Sequence, residues 1–179
     1  MYSSGSVTTN GKMLFEPGSR LEVRAKIPSA KGSWPAIWML HHNGKPWPAR
    51  GETDILEHLS QEHNKCYSTF HWGQNGTDKH ASRGNALVIP ELCEKWCVYV
   101  MEWTNEQIVI SVDGRETARL KLDTVNYPDG SNPFRCPAHL ILNTAIGGPG
   151  TWPEKPDASQ YPCRYEIDYV RYYTQKGEE

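Results

Sequence analysis

An all-β fold, an antiparallel β-sandwich, is what this sequence predicts. Three observations carry the expectation. Apolar and polar residues alternate with period two, turn residues interrupt that pattern at short intervals, and no amphipathic helical stretch exceeds two turns. Leu21, Val23, Ala25 and Ile27 alternate with Glu22, Arg24 and Lys26, giving a strand with one buried and one wet face. Strand patterns follow at residues 36–40, 52–59 and 66–72, with the turn pair Asn43-Gly44 and a proline-rich loop at 46–48 between the first two. Residues 97–104, 107–112 and 116–120 come next. Asp113-Gly114, between the last two, is the clearest hairpin signal, because both residues suit the positive φ of a type I′ turn. Segments 139–145 and 165–173 close the series, separated from their neighbours by Asp129-Gly130, the Gly147-Gly148-Pro149-Gly150 turn and the proline-rich stretches 128–137 and 149–162. These stretches read as loops, not linkers, so residues 1–179 are expected to form one domain.

Composition narrows the function. The 179 residues hold 19 Lys+Arg against 21 Asp+Glu, a net charge of −2, which excludes the basic field that nucleic acid or an acidic membrane surface would require. No apolar run approaches the roughly 20 residues of a membrane span. Seven tryptophans are many for this length, and such aromatics fill β cores or stack on sugar-like ligands. The five cysteines (Cys66, Cys93, Cys97, Cys136, Cys163) are an odd number, so at least one is free or paired between chains. Cys93 and Cys97 have a zinc-like spacing but no second pair, and the histidines share no ligand spacing on one element, so no catalytic metal is expected. Met1 leads into the polar Tyr2-Ser3-Ser4-Gly5, without a signal peptide.

The segment Gly51-Glu52-Thr53-Asp54-Ile55-Leu56-Glu57-His58 carries the chemistry. On a regular strand Glu52 and Asp54 share a face and Glu57 points away; one β-bulge near Ile55-Leu56 returns Glu57 to the acidic face. Five residues with a bulge span roughly 13–15 Å of backbone, short enough for inward-leaning side chains to converge. Two charges ~5 Å apart at an effective dielectric of ~20 repel by about 3 kcal/mol, or roughly two pKa units. One of the carboxyls should therefore keep its proton near neutral pH, as a general acid must; a solvated acidic edge face is the alternative.

This stretch resembles the E-x-D-x-x-E signature of glycoside hydrolase family 16, in the bulged form of its laminarinases. Gly32-Ser33-Trp34-Pro35-Ala36-Ile37-Trp38-Met39-Leu40 is similar to the family's G-x-W-P-A-x-W-M-L strand, and Trp47-Pro48-Ala49-Arg50-Gly51 to the W-P-x-x-G that precedes the signature. Tyr99-Val100-Met101-Glu102-Trp103-Thr104 with Val112-Asp113-Gly114, Asn143-Thr144-Ala145-Ile146-Gly147-Gly148, and Ile167-Asp168-Tyr169-Val170-Arg171-Tyr172 resemble further family motifs, in family order over nearly the whole chain.

The resemblance implies a concanavalin A-like β-jelly-roll sandwich with a concave substrate cleft, acting on β-glucan by a retaining double displacement. Glu52 would be the nucleophile, Glu57 the acid/base, and Asp54 the group between them that orients Glu52. The ~5–5.5 Å carboxyl separation of retaining enzymes is within reach of the bulged strand, although the spacing by itself also admits the ~6.5–9.5 Å of inverting ones. The bulged motif leans toward β-1,3-glucan, with mixed-linkage β-1,3-1,4-glucan tolerated. It is shared with galactan-cleaving relatives, so an agarose-type substrate is one rival and a non-catalytic β-glucan-binding protein is another. Trp47, Trp103, Trp34, His71, Arg50 and Asn143 fall where the resemblance implies substrate contacts. The alternatives are loop packing for Trp47 and Trp103, the sandwich core for Trp34, a structural role for His71, a surface salt bridge for Arg50 and sheet capping for Asn143, and for Trp38 the sandwich core is at least as good a reading as the cleft. No cofactor is implied. A structural calcium is in doubt, since Asp168 matches its closing-strand carboxylate but the N-terminal ligands have no counterpart. The family's opening strand likewise has no counterpart before Tyr2, and a secreted or periplasmic location is expected, with the leader outside this chain.

Overall fold

The computed structural model describes residues 2–174. Eleven strands form two antiparallel sheets. The strands are β1 (Ser6–Thr8), β2 (Ser19–Lys26), β3 (Ser33–His41), β4 (Glu52–Glu57), β5 (Lys65–Gly73), β6 (His80–Val88), β7 (Cys97–Trp103), β8 (Gln107–Val112), β9 (Arg115–Lys121), β10 (Ala138–Ile146) and β11 (Glu166–Thr174). The first sheet runs β1-β10-β3-β4-β5-β6 and the second β11-β2-β7-β8-β9. The sheets face each other as a jelly-roll sandwich, and the helical elements among the described residues are short 3₁₀ turns. None is long and apolar enough to cross a membrane.

Period-two alternation decides which face of each strand is covered. Leu21, Val23 and Ala25 of β2, Tyr99, Met101 and Trp103 of β7, and Ile108, Ile110 and Val112 of β8 point inward, all almost fully buried. They meet Ile37 and Met39 of β3, Phe70 of β5 and Leu140 and Leu142 of β10 from the other sheet. The core-facing set of the first sheet matters for function because it fixes what is left on the opposite face.

Two strands escaped the hydrophobic pattern. β6 is polar and largely exposed along its length, with Ser82, Arg83, Gly84 and Asn85 at its centre, yet it pairs with β5 over nine residues. It is the terminal strand of its sheet, where polar composition discourages pairing with other chains, and backbone hydrogen bonding holds it with Leu87 as its contact with the core. β1 has three exposed residues, too few for any period to show. The five cysteines are all free thiols.

Candidate active site

Gly51 sets up the acidic strand. Its φ of +83° is accessible at low cost only without a side chain, and a Cβ there would lie 2.8 Å from Pro133. The Arg50 amide donates to Pro46 O and the Gly51 amide to Pro48 O, so the chain turns tightly and enters β4 with Trp47 beside the first strand residue.

Along β4 the pairing slips once. Against β3, Trp38 faces Asp54 and Ile37 faces Leu56, so Ile55 has no opposite number; against β5, Asp54 pairs with Thr69 and Glu57 with Tyr67. Ile55 and Leu56 are both buried in the core, at 1% and 0% exposure. Two consecutive inward residues are what a bulge produces, and the result returns Glu57 to the face of Glu52 and Asp54. The expected bulge is present. On β3 the partners of Glu52 and Glu57 are Leu40 and Ala36, about 13 Å apart along the strand.

Glu52, Asp54 and Glu57 line one pocket of about 160 Å³ together with Trp34, Trp38 and Asn143. Larger hollows of about 370 and 450 Å³ lie elsewhere, but neither brings two carboxylates together. Each glutamate accepts a hydrogen bond from an indole. Trp47 Nε1 donates to Glu52 Oε2 at 2.9 Å, and Trp34 Nε1 to Glu57 Oε1 at 3.1 Å. Asp54 lies between them, 2% exposed, and its Oδ2 has no well-aligned hydrogen-bond partner; His71 Nε2 is 3.0 Å away.

Burial and charge raise two of these acids. Burial, with the adjacent Glu52 charge and a hydrogen bond to Glu52, holds the Asp54 carboxyl well above the usual carboxylate range. Burial first, and then the Asp54 charge, push the Glu57 carboxyl up to about 8, with His71 and the Trp34 indole partly opposing that rise. Glu57 is therefore a proton carrier at neutral pH.

Of the six residues expected at the substrate, Trp34, Trp47, His71 and Asn143 lie at this face. Trp34 lines the pocket, and so does Trp38, which belongs to the cleft and not to the core. Both alternate with the inward Ile37 and Met39, so their indoles emerge on the outer side. Asn143 accepts Trp38 Nε1 at 2.7 Å through Oδ1, which leaves Nδ2 for another partner. His71 projects on the acid face opposite Glu52, because Phe70 is in the core and Trp72 packs against it. Trp47 is 50% exposed. Arg50 spends Nε on His41 O at 3.1 Å and braces the turn; it does not line the pocket.

Trp103 is a correction. It is 0% exposed, shares the inward face of β7 with Tyr99 and Met101, and donates from Nε1 to Phe134 O at 2.8 Å. The parity of β7 places it in the core, on the sheet remote from the carboxylates.

Two aromatic groups were missed. Trp152, 47% exposed, meets Trp34 edge-on at 5.6 Å and Tyr67 at 5.0 Å. It extends an aromatic wall on the Glu57 side of the pocket; its only signal was a tryptophan beside the glycine turn at 147–150. His80 opens β6, the strand without a pattern.

Asp168 does not form a calcium site with the described residues, because its Oδ2 is taken by Arg24 Nη1 at 2.5 Å, a cation where further acidic ligands would be needed. Glu52, Asp54 and His71 do offer ligand atoms within 4.8 Å of one another.

Residues 1–171 match the family described as Glycosyl hydrolases family 16. A Beta-glucanase of Rhodothermus marinus is 34% identical over 179 residues, which is 96% of this chain and 62% of that protein. A solved chain from work on endo-acting O-glycanases, which prominent members of the human gut microbiota express to initiate mucin breakdown, superposes with a TM-score of 0.90. It is 47% identical over 96% of this chain and 62% of its own. A variant of SCLam, a non-specific endo-β-1,3(4)-glucanase solved with 1,3-β-D-cellobiosyl-glucose at its active site, gives a TM-score of 0.84. Its identity is 35%, over 96% of this chain and 66% of that one. The chain thus spans about three fifths of the length of the first two relatives.

Proposed function

Since the chain belongs to glycosyl hydrolases family 16, we propose that it is an endo-acting, retaining glycoside hydrolase that cuts β-1,3-glucan and mixed-linkage β-1,3-1,4-glucan. One observation carries the proposal: the Ile55 bulge brings Glu52, Asp54 and Glu57 into a single pocket, with Glu57 raised to about 8. Likeness to a Beta-glucanase and to an endo-β-1,3(4)-glucanase with a glucan oligosaccharide at its active site supports the substrate class.

In the first step the protonated Glu57 gives its proton to the glycosidic oxygen as the C1–O bond breaks, and Glu52 attacks C1 to form a glycosyl ester. The leaving chain departs as a free hydroxyl. In the second step the Glu57 carboxylate takes a proton from water, the water oxygen attacks C1 on the face the leaving group vacated, and Glu52 is released. Two inversions give net retention. Burial and the Glu52 charge hold the Asp54 carboxyl well above the usual range, which favours its hydrogen bond to Glu52 and so orients the nucleophile. The Trp47 indole fixes the Glu52 carboxylate and leaves its own face for a pyranose. Set against a non-catalytic glucan-binding role, three mutually repelling acids are a cost that binding does not require. A polymer substrate does not enter a cell intact, which supports a secreted or periplasmic protein.

The 47% identity to a chain from work on endo-acting O-glycanases that initiate mucin breakdown favours a second reading of the same chemistry, with mucin O-glycans as substrate. Agarose represents the galactan alternative. The test is product release from laminarin, barley glucan, mucin O-glycans and agarose in parallel, with proton NMR of the first anomer formed. Oligosaccharides from laminarin or barley glucan with a β-anomer establish the proposal. Release from mucin glycans or agarose alone keeps the mechanism and replaces the substrate. Binding without cleavage overturns the enzyme reading.

A further inference from the structure

His80 starts β6 opposite Gly73 of β5. Gly73 is required there, since a Cβ would come 1.9 Å from Thr77 O and 3.0 Å from Ala49 Cα. The bare glycine lets the connection at 74–79 fold back, closed by the Gln74 amide on Lys79 O, against the turn that carries Trp47. His80 is thereby placed between two groups that each touch a catalytic carboxylate. Its Nε2 is 2.8 Å from His71 Nδ1, with the two rings stacked at 5.0 Å and 19°. On its other side the ring lies 5.1 Å from Trp47 at a tilt of 31°. His71 reaches Asp54 at 3.0 Å, and Trp47 donates to Glu52 at 2.9 Å. The contacts run from Asp54 through His71, His80 and Trp47 to Glu52, and His80 is the member of this path that touches no carboxylate.

We propose that His80 is a positioning residue: its imidazole selects the tautomer and tilt of His71 at Asp54, and its ring supports the indole that holds Glu52. Two imidazole nitrogens 2.8 Å apart share one hydrogen, so one ring donates and the other accepts. When His71 Nδ1–H donates to His80 Nε2, His71 Nε2 is left as an acceptor facing the Asp54 carboxyl at 3.0 Å. Without that acceptor the His71 ring has no reason to keep its hydrogen on Nδ1. The inference rests on the catalytic reading of Glu52 and Glu57, but one readout does not depend on activity.

The experiment compares the parent chain with His80→Ala, His80→Phe and His80→Gln, after thermal melts confirm folding. Imidazole ¹⁵N shifts of His71 should report a single Nδ1–H tautomer in the parent and in His80→Gln, whose amide retains an acceptor. In His80→Ala and His80→Phe they should report a mixed or Nε2–H form. On whichever polysaccharide the parent cuts, His80→Ala should lose about tenfold in kcat with KM within about threefold, as expected for a small misplacement of the carboxylates. His80→Phe should lose less, because it keeps the ring under Trp47, and His80→Gln should recover part of the rate. Unchanged His71 shifts in His80→Ala overturn the tautomer role, and an unchanged kcat overturns the positioning role. If the parent cuts none of the four glycans, the functional reading fails, while the shifts still decide the contribution of His80 to His71.

Discussion

Ile55 and Leu56 are consecutive on β4 and both face the core, 1% and 0% exposed, and that breach of alternation puts Glu57 on the same face as Glu52. Deleting Ile55 gives a regular strand in which the acids still share a face and Glu57 stays opposite Ala36, but the local bend and added twist of the bulge are lost and the side chains are re-aimed. The expected outcome is a β-rich circular dichroism spectrum with activity at least about 100-fold lower. Parent-level activity in the deletion would show that the bulge does not set the working orientation of the acids.

Glu52→Gln should abolish turnover while oligosaccharide binding, followed by calorimetry, stays within about threefold. Glu57→Gln should retain cleavage of substrates with activated aryl leaving groups, which need no protonation, and azide should raise that rate and yield a β-glycosyl azide. An α-azide would mean inversion and remove the covalent role of Glu52.

The raised Glu57 carboxyl also makes a stability prediction. With a folded value of about 8 against 4.5 for the free side chain, the native state binds more protons than the unfolded chain between those values. Stability from this group therefore falls as pH rises from about 4.5 to about 8. Glu57→Gln removes the titration, so it should raise the melting temperature at pH 8 and change it little at pH 4. The full effect is on the order of 3–5 kcal/mol. Equal shifts at both pH values would contradict the assignment.

For the activity of the free enzyme, kcat/KM should decline as pH passes about 8, where Glu57 loses the proton it delivers. Aryl glycosides with good leaving groups should lack that alkaline limb. Its persistence with them would assign the limb to another group.

Trp47 and Trp103 separate a ligand face from a core. Trp47→Ala should raise KM about tenfold with little change in melting temperature, and Trp47→Phe should restore most of the affinity but lower kcat through the lost Nε1 contact with Glu52. Trp103→Ala should cost about 3–5 kcal/mol in a denaturant titration and leave KM unchanged in the fraction that folds. A KM effect without a stability effect at Trp103 would return it to the cleft.

Much of this site was legible in the chain because it depends on local order. The alternation of β2 and β8, the hairpin at Asp113-Gly114 and the need for a bulge in Glu52-Thr53-Asp54-Ile55-Leu56-Glu57 all follow from strand geometry over a few residues. Family motifs placed Trp34, His71 and Asn143 on the acid side for the same reason: each sits at a fixed parity relative to buried neighbours.

Other features were decided only by which sheet and which strand lay opposite. Trp103 has the same local pattern whether its inner face meets a core or a ligand, and only the pairing of sheets shows that it meets Phe134. β6 is held by backbone hydrogen bonds to β5, which carry no sequence pattern, so His80 and its place between Trp47 and His71 were invisible along the chain. The proton on Glu57 has the same origin. Carboxylate repulsion can be read from spacing, but the largest cause of its rise to about 8 is burial, and burial is set by packing around a residue.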